Sequence, residues 1–363
     1  MPEKPLLPVL DGLALSVFIV DSDRKITFVN KSGSKKFGKN LVGLDFVQII
    51  RDPGCLKAIA KTIKGRKSSQ VEVLLQAGIR ITYRVNVSRL GPKSPPNDNG
   101  VARAVISLED ISHIREAQIM RSDFVANVSH ELRSPLTAIN GFIETLKGAA
   151  KNDEQAREKF LGIMEDESQR MVRLIEDLLS LSKVQASEHV APQNKVDLKN
   201  ILEHAIEILA PLAKQENTKI NFQIPDNEQI EVVGDKDQLL QVFINLLENA
   251  IKYGATTNSE ASNEASDNQV EIIISHETRA PGIAGPAIAV KFSDQGPGIP
   301  PEHIPRLTER FYRIDTGRSR QKGGTGLGLA IVKHIVARHR GRLQIRNNIE
   351  KGCSFTIFFP ADF

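Results

Sequence analysis

The sequence predicts a multidomain α+β chain, because its pattern changes three times along 363 residues. From about residue 7 to 110, short β-like apolar runs alternate with turns. From about 112 to 187, apolar residues recur at steps of three and four along two long stretches, as in packed helices. From about 195 to 363, helical and strand patterns mix and are punctuated by glycine-rich turns. A chain of this length accommodates two or three domains.

Composition narrows the class. The chain is 40% hydrophobic and 25% charged, has no Trp, and carries a formal net charge of +4. Residues 1–110 hold 18 Lys and Arg against 10 Asp and Glu, a net of +8, and the remainder is −4. The basic clusters at 31–39 and 61–67 suit a solvated face or peripheral contact with an acidic membrane surface. Cys55 and Cys353 lie far apart in unrelated contexts, which suggests neither a disulfide scaffold nor a thiolate metal site and fits a reducing compartment. The longest early apolar run, 13–20, contains Ser16 and ends at Asp21-Ser22-Asp23. It is far short of the roughly 20 residues that cross a bilayer, so no transmembrane segment is expected and the chain reads as cytoplasmic.

In the first segment, 16–20 and 26–29 form a hairpin about the turn 21–24. Residues 41–64 read as short helices broken by Asp52-Pro53-Gly54. Strands follow at 71–76 and 80–88, then a loop by composition at 91–100, and 102–108 closes the set. Glu109-Asp110-Ile111-Ser112 starts the next helix. This order resembles the PAS sensor fold. No histidine precedes His113, which excludes a histidine-ligated haem in this segment. Cys55 lies in Pro-Gly-Cys-Leu, not in the Asn-Cys-Arg context of flavin-photoreceptive PAS domains, which argues against light sensing. A small ligand, a protein contact, or no ligand remain open.

The second segment is a helical hairpin. One seam runs through Val125, Val128, Leu132, Leu136, Ile139, Ile143 and Leu146. His130 lies two residues from Val128 and from Leu132, and at about 100° per residue it points away from that seam, with Glu131 beside it. Pro135 removes a helical N–H just beyond and is expected to loosen or kink the helix there. After a break near Gly148 and Asp153, a second seam runs through Phe160, Met164, Glu167, Met171, Leu174, Leu178 and Leu181. Two helices cannot bury both seams alone, whereas pairing two copies into a four-helix bundle does, so a homodimer is expected. An isolated exposed histidine is normally just solvated. The company His130 keeps in the third segment argues otherwise.

That third segment reads as helices at 198–216 and 235–253, the latter capped by Asp235, and strands at 219–224, 270–275, 287–292, 342–347 and 354–359. A Ser/Asn/Glu/Ala-rich insert between Gly254 and Gln269 has no apolar pattern. Three elements here carry chemistry. Asn245, Asn249, Lys252 and Tyr253 share one helix side at steps of three and four, opposite Val242, Leu246 and Ala250 or Leu247 and Ile251. Such a side is either simple solvation or a holder of hydrated Mg²⁺ and phosphate oxygens. Asp294 ends a strand before Gly296 and Gly298, a common turn that also lets backbone approach a flat base. Gly324-Thr325-Gly326-Leu327-Gly328 opens an amphipathic helix, where free N–H groups and the helix dipole favour phosphate. It matches neither a Walker loop nor a dinucleotide fingerprint. Between them, Arg310, Phe311, Tyr312, Arg313, Arg318 and Arg320 flank Gly317 and read as a mobile lid; the competing reading is a basic nucleic-acid-binding loop.

Across 112–361 the chain resembles the sensor histidine kinases of two-component systems, with their motifs in order. They are Ser129-His130-Glu131-Leu132-Arg133-Ser134-Pro135, then 245–253, 294–298, Arg310-Phe311-Tyr312-Arg313, 324–328 and Gly352. The wording around His130 and at 324–334 resembles the phosphate-regulon sensor branch, most of whose members carry N-terminal membrane helices. The resemblance implies an α/β-sandwich ATPase of the histidine-kinase, gyrase and chaperone type at 195–363, a dimerisation and phosphotransfer hairpin at 112–190, and a sensor at 1–111. It implies ATP and Mg²⁺ as cofactors and a response-regulator receiver domain as partner, with no nucleic acid. His130 would be phosphorylated, and Glu131 would accept or orient its ring proton. Ser134 would serve dephosphorylation of the regulator. Asn249, helped by Asn245, would ligate Mg²⁺, with Lys252 and Tyr253 near the phosphates. Asp294 would bind adenine with Gly296 and Gly298 at the base. Phe311 and Arg313 would close over the nucleotide, and Gly324, Thr325, Gly326, Leu327 and Gly328 would surround the phosphates. Neutral imidazole, with an ordinary pKa of about 6.5, is a competent nucleophile near pH 7. The alternatives are an ATP-driven clamp on the same nucleotide fold, which has no use for an outward histidine, and a non-catalytic scaffold that binds regulators.

Overall fold

The computed structural model describes residues 6–65, 68–77, 79–90, 103–188, 190–224, 230–254, 268–314, 324–349 and 351–361. The expected loop at 91–100, most of the insert after Gly254, and the lid residues Gly317, Arg318 and Arg320 lie outside that set. The chain divides into two compact units, residues 1–126 and 127–363.

The first unit is built on a five-stranded antiparallel sheet, ordered β2-β1-β5-β4-β3. Its strands are β1 (Ser16–Val20), β2 (Ile26–Val29), β3 (Ser68–Ala77), β4 (Ile79–Leu90) and β5 (Arg103–Asp110). Helices α1 (Leu6–Asp11), α2 (Lys31–Phe37) and α3 (Pro53–Ile63) accompany it. Phe18, Phe46, Ile59, Val85 and Ile106 are fully buried, and the Phe18 and Phe46 rings meet edge-on at 5.5 Å. The expected hairpin forms. The basic cluster at 31–39 is largely α2, with Lys31, Lys35 and Lys36 exposed.

Asp52-Pro53-Gly54 begins α3 and does not merely interrupt a helical stretch. The Asp52 carboxylate accepts from the Cys55 N–H at 2.7 Å, and Pro53 occupies the first turn, where its missing donor costs nothing. Asn30 is buried with every polar group used. Its Oδ1 accepts from Val17 and Gly33, and its Nδ2 donates to the carbonyls of Leu10 and Leu15. Cys55 is buried, and burial pushes its thiol up to about 12, which marks a core residue and not a reactive one.

Helix α4 (Ser112–Lys147) runs unbroken through Pro135 and continues into the second unit. Its Ser112 hydroxyl accepts from the Thr82 N–H at 3.0 Å. Helix α5 (Glu154–Ala186) follows, capped by the Asp153 carboxylate on the Ala156 N–H. The hairpin leaves Val125, Leu136, Leu161, Val172, Ile175 and Leu179 exposed.

The rest of the second unit is a mixed sheet ordered β11-β12-β10-β9-β7, antiparallel except for the parallel β7–β9 pair. Its strands are β7 (Thr218–Gln223), β9 (Asn268–Glu277), β10 (Ala287–Ser293), β11 (Arg342–Asn347) and β12 (Cys353–Pro360). All five match expected strands to within a few residues. The two-stranded pair β6 (Lys195–Asp197) with β8 (Glu231–Val233) was not expected, being three residues a side. Helices α6 (Leu198–Gln215), α7 (Lys236–Tyr253) and α8 (Gly328–Arg338) pack with the sheet, and Phe243 of α7 meets Phe292 of β10 at 6.0 Å. Loop residues Ala280 and Ile283 pack on Ala287, Ala289 and Phe358.

One buried histidine secures the start of α7. Nε2 of His339 accepts from the Asp235 N–H at 2.9 Å, so Nδ1 carries the proton and donates to the Ile335 carbonyl at 2.7 Å. Burial holds its pKa below the ordinary value, and the Arg338 charge adds to this. A depressed folded pKa means that the unfolded chain binds the proton more tightly. The stability is present above about pH 6.5 and is lost as pH falls through that value toward the lower folded one. The melting temperature of this unit is therefore expected to fall from pH 7.5 to 5.5. His339→Gln should flatten that limb, which contributes up to about 1.4 kcal/mol per pH unit. Equal slopes in thermal melts would contradict this account.

Candidate functional site

Helix α7 supplies one wall of a pocket of about 390 Å³. Its sequence dictates two faces. Leu239, Val242, Phe243, Leu246, Leu247, Ala250 and Ile251 are buried, and Asn245, Asn249, Lys252 and Tyr253 line the pocket. The Asp235 carboxylate caps the helix on the Gln238 N–H, as its position in the sequence suggested. Nδ2 of Asn245 donates to the Gly328 carbonyl at 3.4 Å, linking α7 to the start of α8. Lys252 places its ammonium 2.6 Å from Glu248 Oε1, so its charge is partly matched within the helix.

Asp294, at the end of β10, is nearly buried at 5% exposure and also lines the pocket. Its Oδ1 accepts from the N–H groups of Gly296 and Cys353, and the Cys353 thiol donates to Oδ2 at 2.9 Å. Burial, the Asp294 charge and that hydrogen bond all push the Cys353 thiol up, so it stays a donor. Gly352 makes the arrangement possible. It has φ +79°, and a Cβ there would stand 1.9 Å from the Asp294 carbonyl oxygen. Gly298 lines the pocket, whereas Gly296 acts as a spacer, packed where a Cβ would meet the Tyr253 carbonyl at 2.6 Å.

The glycine-rich run forms a further wall through Gly324, Thr325, Gly326, Gly328 and Leu329. Among the described residues no side chain caps the start of α8, so its first N–H groups keep their hydrogen-bonding capacity. Gly326 has φ +75° and lies against the Phe311 backbone, whose N–H donates to the Gly326 carbonyl at 2.9 Å. Phe311 of the expected lid is thereby tied to the glycine run. Two expected contacts are relocated. Leu327 is fully buried and serves the core, and Phe311 stands behind the glycine run, while its neighbours Tyr312 and Arg313 line the pocket. The Tyr312 ring is covered by the Arg306 guanidinium at 4.3 Å.

The pocket's remaining wall has no signature in the sequence. Arg173, Glu176 and Asp177 of α5 line it, and the Thr325 hydroxyl donates to Asp177 Oδ2 at 2.6 Å. Ser180 bonds Gln241, and His334 bonds both Gln185 and Glu188. Burial raises the Asp177 pKa, reinforced by Glu248 and Glu176 and opposed by the Thr325 bond and Arg173. His130 and Ser134 are exposed on α4, and Glu131 is half-buried; none of the three lines the pocket. Cys353 and the α5 residues are the participants that sequence reasoning missed. Cys353 stood directly after Gly352, but no spacing rule announces a contact made 59 residues away.

Comparison with known proteins agrees with this geometry. Residues 120–187 match the His Kinase A (phospho-acceptor) domain, and residues 234–362 match the histidine kinase-, DNA gyrase B- and HSP90-like ATPase. The chain is 36% identical over 255 residues to the phosphate regulon sensor protein PhoR of Pseudomonas aeruginosa, covering 70% of this chain and 53% of that one. It is 31% identical over 358 residues to the sensor protein kinase WalK of Staphylococcus aureus strain Newman, covering 98% and 55%. The chain thus spans about half the length of these curated relatives. A crystal structure of histidine kinase ThkA in complex with the response regulator TrrA is similar at 22% identity and TM-score 0.49, over 97% of each chain.

Two outcomes follow from the pocket's construction. Gly352→Ala should cost about 1–3 kcal/mol of stability and displace Asp294, weakening ATP-analogue binding by roughly tenfold or more in a fluorescence titration. Unchanged affinity would remove Gly352 from this role. Asp177 binds its proton more tightly when folded, so its carboxyl favours the fold below about pH 4 and loses that contribution as pH rises through the elevated folded value. Asp177→Asn should therefore raise the melting temperature at pH 8 and leave it nearly unchanged at pH 4.

Proposed function

We propose that this chain, which belongs to the two-component sensor histidine kinases, transfers the γ-phosphoryl group of ATP to His130 and then to an aspartate of a response-regulator receiver domain. One observation carries the reading above the rest. A single pocket gathers Asn245, Asn249, Asp294, Gly324, Thr325, Gly326 and Gly328, in a chain whose α4 also presents an exposed histidine.

Each group has work suited to its chemistry. Asp294, oriented by three donors, receives the exocyclic amine of adenine. The uncapped start of α8 and the backbone of Gly324, Gly326 and Gly328 receive phosphate oxygens. Amide oxygens of Asn249 and Asn245 are hard donors, which suits Mg²⁺, an ion that keeps waters and phosphates as its other ligands. When bound, that ion would neutralise charge on the transferring phosphoryl group. Arg313, on the pocket wall, lies where it can join in that neutralisation. Glu131, next to His130, accepts the ring proton. Because α5 and not His130 borders the pocket, the ATP-binding part must move relative to the hairpin for transfer to occur.

Further features are read in the same frame. Residues 1–111 are taken as a PAS-like sensor, followed by the phosphotransfer hairpin at 112–190 and the catalytic part at 195–363. The apolar side chains left exposed on α4 and α5 support pairing of two copies into a four-helix bundle. Ser134, one helical turn from His130, would orient a water for dephosphorylating the regulator. The likeness to PhoR supports a link to phosphate sensing. Among the described residues no helix is long and apolar enough to cross a membrane. We take the chain to act in the cytoplasm, with α2 available for peripheral membrane contact.

Incubation with γ-labelled ATP tests the central claim. The expected product is an acid-labile, alkali-stable label, lost in His130→Gln while ATP binding is kept. Full labelling of that variant would show that another residue accepts the phosphoryl group.

A further inference from the structure

Glu131 is held from across the hairpin. Its Oε2 accepts from Arg170 Nη2 of α5 at 2.9 Å, and the two side chains are only 22% and 13% exposed. The second guanidinium nitrogen, Nη1, lies 3.7 Å from Glu167 Oε2, one turn earlier on α5. That Glu167 oxygen is buried and has no hydrogen-bond partner among the described residues. Arg170 thus joins two carboxylates, and one of them neighbours the phosphoacceptor.

Packing makes the arrangement informative. Glu167 occupies a seam position between Met164 and Met171, where an apolar side chain would bury surface without desolvating charge. A half-buried pair is costly to break, because the remaining charge is left uncompensated. Exposed ion pairs contribute little, and Arg157 with Glu154, 3.3 Å apart near the hairpin turn, is of that kind. An ion triad at the level of His130 sacrifices seam packing, and the planar guanidinium fork gives it a fixed orientation.

Resting on the kinase reading above, we propose that Arg170 is a positioning residue for phosphorylation of His130, acting through Glu131. During transfer, His130 Nε2 forms its bond to the γ-phosphorus while the bond from that phosphorus to the bridging oxygen breaks, its electron pair leaving with ADP. The Nδ1 proton of the ring then passes to Glu131, which later releases it to water. Arg170 engages Oε2 and so directs Oε1 to that proton. Without it the carboxylate is free to rotate, and the step slows while the nucleotide still binds.

A double-mutant cycle on the full chain decides this, with the initial rate of labelling measured against ATP concentration. Arg170→Met is expected to lower kcat by about tenfold or more with KM for ATP within about twofold. Arg170→Lys, which keeps one charge in reach, should recover much of the rate. Arg170→Met combined with Glu131→Gln should label no more slowly than Glu131→Gln alone. Arg170→Gln, with donors but no charge, serves as the second variant if Arg170→Met melts early in circular dichroism. Wild-type rates in both neutral variants would overturn the proposal, as would a loss carried in KM or one that multiplies that of Glu131→Gln. Labelling that persists in His130→Gln, or fails in the wild type, would instead overturn the kinase reading itself.

Discussion

Helix α7 belongs to the core and to the pocket at once, and this double duty constrains everything around it. Seven of its side chains are buried against the sheet and neighbouring helices. At roughly 1.5–3 kcal/mol for each large one, the buried face outweighs any single polar contact on the other side. Turning the helix by one residue would drive Asn245 or Asn249 into that core, at a cost of several kcal/mol for each unpaired amide. The amides therefore stand where apolar packing puts them. A nucleotide meets a preformed wall, so little ordering is left to oppose binding.

The other walls come from remote parts of the chain and are joined by a few polar contacts. Asp294 is oriented by Gly296 and Cys353, and its neighbour Gly352 fits only because it has no side chain. The glycine run is held to Phe311 on one side and Asn245 on the other. Helix α5 closes the remaining side with Glu176 and Asp177, carboxylates that repel a polyphosphate and that Arg173 only partly offsets. The same helix carries Arg170 on the hairpin side, beside Glu131. One helix thus borders both the pocket and Glu131, the neighbour of His130.

Much of the fold was legible because burial imposes a period. The two long helices of the hairpin, the two faces of α7 and the five strands of the second sheet were all expected, and the structure contains each of these elements. Asp52-Pro53-Gly54 was legible as punctuation but not as a helix start, since the same residues serve turns and first turns equally well. The pair β6–β8, at three residues a side, is too short to carry any period. Among the site residues, side chains placed by helical spacing, such as Asn245 and Asn249, line the pocket. Phe311 and Leu327 are turned elsewhere by backbone contacts and by burial that spacing does not encode.

The sequence by itself determined most of the long elements, the order of the chemical motifs and the outward placement of His130, because each depends on residues close together in the chain. Tertiary structure alone decided that Cys353 donates to Asp294, that His339 anchors the start of α7, that Asp177 meets Thr325, and that Arg170 reaches Glu131. Those contacts join residues 39 to 148 positions apart. Their geometry is a property of packed surfaces, and a one-dimensional pattern carries no record of which surfaces meet.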